Sequence, residues 1–469
     1  MDPKTIKNNR NNFVANQLKR FLPSDVIDII ISYYDTINKE QIYCDKLRSY
    51  VNVVSKRIGH LIKSKRDIQS DDYFDLTNIF ELLLSDSEKV INSCSIQQLK
   101  SISIELGKKI KSLDHDIKIL KNKLDDLCNN VPNFTHDSVP ISNNEDNNSI
   151  VITNIEENKL ERETYIKTII TDYDPEATKL NHYELLNKLG FIDTLSGIKV
   201  SGNRGYFFVG IGVKFNMALL MYAADFLSSK EFILMEPPEL MSKDIMMQVS
   251  QLSDCQETLY EVKEHDKFLI ATSEQPLTAS FANTILETDK LPIKLGGIST
   301  CFRKETGSLG KDTNGIFRVH QFKKVEQFCV THPEESWEMF HEMINNSKEF
   351  NDKLGLSYQI INIVSGALNN AASMKYDLEG YFPGSNTFRE LVSCSNCLDY
   401  FSKRIHTKSG FGDKSFYPHM LNSTLCANTR TICCIVESYQ TNKGIVVPRV
   451  LRPYLGNIDF IPFVDVELK

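Results

Sequence analysis

Ser299-Thr300-Cys301-Phe302-Arg303-Lys304-Glu305 and, a little further on, Phe317-Arg318-Val319-His320-Gln321-Phe322 decide the reading of this chain. In both stretches an arginine directly follows a phenylalanine. A guanidinium holds phosphate or carboxylate through paired hydrogen bonds, and a glutamate beside it can hold a metal ion or the edge of a base. Asn428-Thr429-Arg430 offers another such arginine. The loops that usually cradle phosphate, the Walker A sequence and Gly-x-Gly-x-x-Gly, are missing, and Gly210-Ile211-Gly212 is too short to replace them. Phosphate bound here is therefore bound by side chains. For any one arginine a surface ion pair is the plainer role, and for His320 a satisfied hydrogen bond is plainer than general acid–base work.

Around these stretches the texture from about residue 150 onward is one of short β-branched and aromatic runs: Tyr206 to Val209, Lys267 to Ile270, Val325 to Val330 and Tyr358 to Val364. They alternate with helical patterns near 214–229, 275–288, 334–354 and 426–440. The spacing is irregular and no strand–crossover–helix unit repeats, so the expected class is α+β with a mainly antiparallel sheet flanked by helices. Glu274, Glu305, Glu326 and Glu390 sit in uncharged or apolar surroundings, as in Ala271-Thr272-Ser273-Glu274-Gln275-Pro276; a structural salt bridge is the alternative for each. Cys394 and Cys397 form a Cys-x-x-Cys, but Cys433-Cys434 does not complete a ligand set, so no structural zinc is expected.

Further out, the N-terminal third has a different pattern. Ile37, Cys44, Leu47, Val51, Val54, Ile58 and Leu61 recur at intervals of three and four, as do Leu99, Ile102, Leu106, Leu113, Ile117, Leu120, Leu124 and Leu127, interrupted at Lys109 and Ile110. Two such seams predict an antiparallel α-helical coiled-coil arm on the order of 50 Å long. Residues 39–66 carry eight basic side chains against Glu40 and Asp45, a surplus that suits a phosphate backbone, although long helices are often lysine-rich for solubility alone. Residues 67–93, with Phe74-Asp75-Leu76 and Ile79-Phe80-Glu81-Leu82, read as a short amphipathic helix at the arm's tip or side. Beyond Cys128 come Pro132, Pro140 and the polar run Ser142 to Ser149, which mark a linker. The expected domains are 1–130, a linker at 131–160, and 161–469.

The whole chain has 469 residues, room for about three domains, or for two of which one is large. With 25% charged and 41% hydrophobic residues it is neither a disordered tail nor a fibrous repeat. The formal charge is -7, so a nucleic-acid partner must be met by a local basic surface such as the arm. No apolar run is long enough to span a membrane and no signal peptide is present, so no membrane partner is expected and the expected compartment is cytoplasmic. The eleven cysteines are then reduced thiols.

Taken together, these segments resemble seryl-tRNA synthetase of the eukaryotic cytosolic type, a class II aminoacyl-tRNA synthetase. The resemblance covers essentially the whole chain. It is carried by Ser55-Lys56-Arg57-Ile58-Gly59, Val139-Pro140-Ile141-Ser142-Asn143, Thr272 to Pro276, the two opening stretches as motif 2, Phe388 to Cys397, and Leu421-Asn422-Ser423-Thr424 through Arg430 as motif 3. It implies a class II core in which L-serine and Mg-ATP form seryl-adenylate, followed by transfer of the seryl group to the 3′ end of serine tRNA; the sequence does not separate selenocysteine tRNA from it as an acceptor. Arg303, Glu305 and Arg430 are the implied catalytic residues. Arg303 would clamp the α-phosphate and the serine carboxylate, and Arg318 and Arg430 the γ-phosphate. Phe322 would stack on the adenine against Arg430, Glu305 would accept from its amine, and Val319 completes the ATP site. Glu390, with Ser393, would hold Mg²⁺. The implied serine pocket is Thr272, Glu274, Arg303, Glu326, Ser393, Asn422 and Thr424, with Glu326 foremost.

The arm would lie across the long variable arm of the tRNA, with Arg48, Lys56, Arg57 and Lys63 as contacts, reading shape rather than bases. The resemblance also implies a homodimer with Pro238 at its interface, where Met235-Glu236-Pro237-Pro238-Glu239-Leu240-Met241 is more acidic than usual. Nothing resembles an editing domain, and the end at Phe463 to Lys469 lacks a lysine-rich extension, so no nuclear signal is expected. An inactive, tRNA-binding paralogue would normally lack one of these arginines or glutamates, and relatives that charge a carrier protein usually lack the arm.

Overall fold

The computed structural model describes residues 1–65, 76, 78–250, 257–305 and 314–464. Arg66, Phe74 and Asp75, which belong to the stretches read above, lie outside them. Internal contacts divide the chain into one unit of residues 1–15 and 23–131 and another of residues 16–22 and 132 onward. The short segment 16–22 belongs with the second unit because Arg20, only 2% exposed, is held there. Its guanidinium donates to the carbonyls of Asn133 at 3.0 Å and Asn369 at 2.7 Å.

In the first unit α1 (Asp25–Ser64) and α3 (Ile96–Asn129) run antiparallel, with α2 (Ile79–Ser93) against them. Forty residues at 1.5 Å rise make α1 about 60 Å long. Ile37, Cys44, Leu47, Val54 and Leu61 are buried on α1, and Leu99, Ile102, Leu106, Leu113, Ile117, Leu124 and Cys128 on α3. These are the expected seams, with Val51, Ile58, Leu120 and Leu127 half-buried at their margins. Ser95 starts α3 through a capping box: its hydroxyl accepts from Gln98 N, and Gln98 Oε1 accepts from Ser95 N at 2.9 Å. Across the pair, Arg48 Nη2 meets Asp114 Oδ1 at 2.6 Å.

The second unit is built on an eight-stranded sheet. Its strands are β1 (Ser149–Asn154), β2 (Ile233–Met235), β3 (Ile293–Phe302), β4 (Gln321–Thr331), β5 (Tyr358–Asn362), β6 (Met374–Phe382), β7 (Thr387–Asn396) and β8 (His419–Ala427), in the order β1-β5-β6-β7-β8-β4-β3-β2. Every pairing is antiparallel except β2 with β3. The α+β, mainly antiparallel expectation therefore holds. Within the stretch read as linker, residues 149–154 form the edge strand β1. The helices α4 (Ile211–Ser229), α6 (Ser336–Lys353) and α7 (Asn428–Ser438) share the large core of this unit, and the short α5 (Glu274–Ala279) lies over β3.

Strand β4 shows how the sheet sorts its residues. Val325 and Cys329 enter the large core, whereas Phe328 and Val330 enter a smaller core with Met246, Leu277 and Phe401. Phe322, Lys324 and Glu326 continue this alternation toward a cleft. A bulge on β8 leaves Leu425 without a partner, between Cys426 opposite Val325 and Thr424 opposite Glu326. At Gly297, opposite Glu326, a β-carbon would lie 2.6 Å from Ser273 Cβ and 2.8 Å from Leu277 Cδ1, so only glycine lets the start of α5 sit this close to the sheet.

The helix expected over 275–288 is shorter than its pattern. It ends at Ala279, after which Asn283 takes a left-handed turn (φ 56°) and residues Ile285–Leu286 form a small parallel ladder with Lys408–Ser409. The run Lys267 to Ile270 is a strand, but of a separate three-stranded sheet. No helix among the described residues is long and apolar enough to cross a membrane.

Candidate active site

The cleft begins where the start of α5 approaches the middle of β4. Lys324 Nζ lies 2.6 Å from Glu326 Oε1 and donates to Thr272 Oγ1 at 3.1 Å. Thr272 Oγ1 in turn donates to Glu326 Oε2, which also accepts from Glu274 N at 3.2 Å. Both oxygens of Glu326 are thus engaged, and the residue is 1% exposed. Glu274 accepts from Asn422 Nδ2 at 2.8 Å. Burial pushes its carboxyl up to about 8, the charge of Glu326 adds to the rise, and Lys324 opposes it. Thr424 stands opposite Glu326 in the ladder. Thr272, Glu274 and Arg303 line a cavity of about 300 Å³ whose far wall includes Tyr400 and Phe401.

A second, smaller groove is lined by Arg303, Glu305, Phe317, Arg318, Val319, Phe322, Thr429 and Arg430. Arg303 is held at its backbone, where its N donates to His320 O at 2.9 Å and His320 Nδ1 meets its carbonyl at 3.0 Å. Its guanidinium reaches Ala271 O at 3.4 Å and lies 5.3 Å over the Phe322 ring. Glu305 Oε2 faces Arg318 at 3.5 Å and Arg204 at 3.8 Å. Arg430, in the first turn of α7, approaches Glu390 Oε2 at 3.4 Å and lies 5.1 Å over Phe317. The Glu390 side chain is 46% exposed, and Arg430, Lys375, Arg303 and Lys324 hold its carboxyl below the ordinary value. Val319 is 2% exposed.

Every serine and nucleotide candidate named from the sequence thus falls on the start of α5, on β4, β7 and β8 or the loops beside them, or on α7. Ser393 sits on β7 opposite Asp377 of β6. Burial pushes Asp377 up to about 6, with Lys375 opposing and Glu390 adding. Lys324, Arg204, Lys375 and Asp377 were not singled out from the sequence. For Lys324 a signal existed, since it stands two residues before Glu326 in a strand and so shares its face.

The arm candidates divide. Lys56 and Lys63 are exposed and make no ion pair among the described residues, whereas Arg48 is tied to Asp45 and Asp114, and Arg57 donates to Asn92 O at 3.4 Å. Cys394 and Cys397 are buried thiols pushed upward by that burial, Cys394 to about 12. Among the described residues no three His, Cys, Asp or Glu side chains gather where they could hold a metal.

Residues 257–439 match the model of the class II tRNA synthetase core domain (G, H, P, S and T). The chain is 48% identical over 371 residues to the cytoplasmic serine–tRNA ligase of Dictyostelium discoideum, covering 78% of each. It is similar in structure to the cytoplasmic serine–tRNA ligase of Naegleria fowleri solved with AMP, at TM-score 0.80 and 40% identity over 97% of both chains. Seryl-tRNA synthetase of Pyrococcus horikoshii, solved with ATP, gives TM-score 0.81 at 33% identity over 99% of this chain and 100% of that one.

Proposed function

The chain belongs to the serine–tRNA ligases of class II, and on that premise we propose how its residues divide the reaction. It activates L-serine with ATP to seryl-adenylate and pyrophosphate, then passes the seryl group to the 3′ end of serine tRNA. The observation that carries the division is Arg303, which among the described residues alone lines both the cavity and the groove. A cation at that junction stands where a serine carboxylate oxygen would attack the α-phosphorus, and spreads the charge that develops there.

In this reading Glu274, Glu326, Thr272, Asn422 and Thr424 receive the ammonium and hydroxyl of serine. Alanine would leave these buried polar groups unpaired, whereas threonine must be excluded by shape. Arg318 and Arg430 hold the terminal phosphates, Phe322 stacks on the adenine, and Glu305 and the Val319 backbone meet its polar edge. Glu390 and Ser393 are hard oxygen donors suited to Mg²⁺ accompanying ATP, and Glu390 is kept anionic by its cationic neighbours. That ion, when bound, screens the phosphate charges. In the second step the terminal ribose hydroxyl attacks the seryl carbonyl and AMP leaves.

Residues 1–130 are the tRNA-binding domain in this account, with Lys56 and Lys63 free to meet phosphates and Arg48 and Arg57 shaping the arm. We assign the chain to the cytoplasm, like its named relatives. A homodimer is supported by one apolar face. Val213, Met217 and Met221 on α4 and Ile233, Leu234 and Met235 of edge strand β2 are exposed, and Pro238, also exposed, comes three residues after Met235.

Serine-dependent exchange of pyrophosphate into ATP, run beside alanine, threonine and cysteine and followed by tRNA charging, tests the reading. Exchange with serine alone, together with charging, is expected. No exchange from folded protein would overturn it in favour of a tRNA-binding paralogue.

A further inference from the structure

Behind the groove, α7 is anchored by a buried carboxylate. Glu437, in the last turn of α7, is 1% exposed, and Oε1 accepts from His182 twice, from the backbone N at 2.8 Å and from Nδ1 at 2.7 Å. Oε2 accepts from Gly384 N at 2.8 Å, in the turn joining β6 to β7. One side chain thus ties together the helix that carries Arg430, the hairpin that carries Glu390, and the Leu180–His182 segment. The ties are close: a β-carbon on Gly384 would stand 2.3 Å from Leu180 O, and Gln440 clamps both Leu180 N (2.8 Å) and Leu180 O (3.0 Å).

The imidazole also faces forward. Its ring centroid is 6.0 Å from that of Phe317 and 6.0 Å from that of Phe382. Phe317 carries the guanidinium of Arg430 at 5.1 Å and that of Arg389 at 5.6 Å. His182, Phe317 and Arg430 therefore form a chain of contacts, its two rings tilted, from the buried carboxylate to the lining of the groove. His182 is 6% exposed, and its Nε2 is buried without a hydrogen-bond partner among the described residues. An orphaned buried polar atom is costly, and an apolar ring of similar size would pack there without that cost. What an apolar ring cannot supply is the Nδ1 bond to Glu437.

We propose that His182 is a positioning residue for ATP: held by Glu437, it fixes Phe317 and through it Arg430, and so sets the site of the terminal phosphates. The inference rests on the reading of the groove as the ATP site. None of the serine-pocket residues takes part in this chain of contacts, so the effect should fall on one substrate.

The test is exchange kinetics with ATP and serine varied separately, on His182→Ala and His182→Asn, the latter keeping an amide donor near the Nδ1 position. In His182→Ala the KM for ATP rises about tenfold while that for serine stays within about twofold. His182→Asn recovers most of the ATP effect. Equal changes in both KM values, or a lower melting temperature with unchanged KM values, would overturn the proposal. Should His182→Ala not fold, Phe317→Leu keeps apolar bulk but removes the ring under Arg430, and the same ATP-only rise is expected; its absence counts against the proposal. Failure of the underlying reading looks different, since the unmodified protein would then show no serine-dependent exchange.

Discussion

In the arm, α1 and α3 meet along a single seam, and charged pairs such as Arg48 with Asp114 stand nearly half exposed. In the cleft, Lys324 and Glu326 are 7% and 1% exposed and share Thr272 in a closed set of bonds. Water screens the first kind of pair, so either partner is dispensable. The second kind leaves an uncompensated buried charge when one partner goes. The arm is a surface made rigid, whereas the cleft is polar chemistry held inside a core, and the two should respond differently to the same kind of substitution.

The largest effect is expected from Lys324→Ala, which strands Glu326 and should cost about 3–5 kcal/mol in urea unfolding while abolishing serine-dependent exchange. A variant as stable as the parent would erase the distinction between the two regions. Arg303→Lys keeps the charge but loses the planar fork; kcat/KM for exchange should fall about 10²-fold or more, with folding unchanged.

Glu274→Gln sharpens the contrast through pH. The folded carboxyl titrates at about 8 and the unfolded one near its ordinary value of 4.5. Between these values the folded chain keeps a proton that the unfolded chain has lost, so stability falls as pH rises through that window. Glutamine removes the dependence. Its gain in melting temperature over the parent should therefore be larger near about pH 8 than near about pH 5, while serine activation is crippled.

On the arm, Lys56→Glu with Lys63→Glu should raise the KM for tRNA about tenfold and flatten its salt dependence, with exchange untouched. Arg48→Ala, the smallest change, should leave the melting temperature within about 2 °C of the parent. A larger loss would mean that the exposed pairs of the arm matter as the buried ones do.

This division also governs what could be read in advance. The seams of α1 and α3 are local, each buried residue a few positions from the next, and nearly all of them were legible. The arginines and glutamates of the groove were legible as residue types, whereas the roles proposed for them come from the family resemblance alone. Lys324, Arg204, Lys375 and Asp377 escaped because their meaning lies in partners on other strands or in a side-chain alternation that needs β4 to be known first. The helix read over 275–288 failed because its pattern does not mark the left-handed turn at Asn283 or the pairing of residues 285–286 with 408–409.

The place of Arg303 as a wall shared by cavity and groove has a consequence for equilibrium binding. On the proposed division, with serine in the cavity and ATP in the groove, a side chain ordered by one ligand would be presented already ordered to the other, so the two substrates are expected to be thermodynamically coupled. By reciprocity, whatever factor ATP adds to the affinity for serine, serine must add to the affinity for ATP.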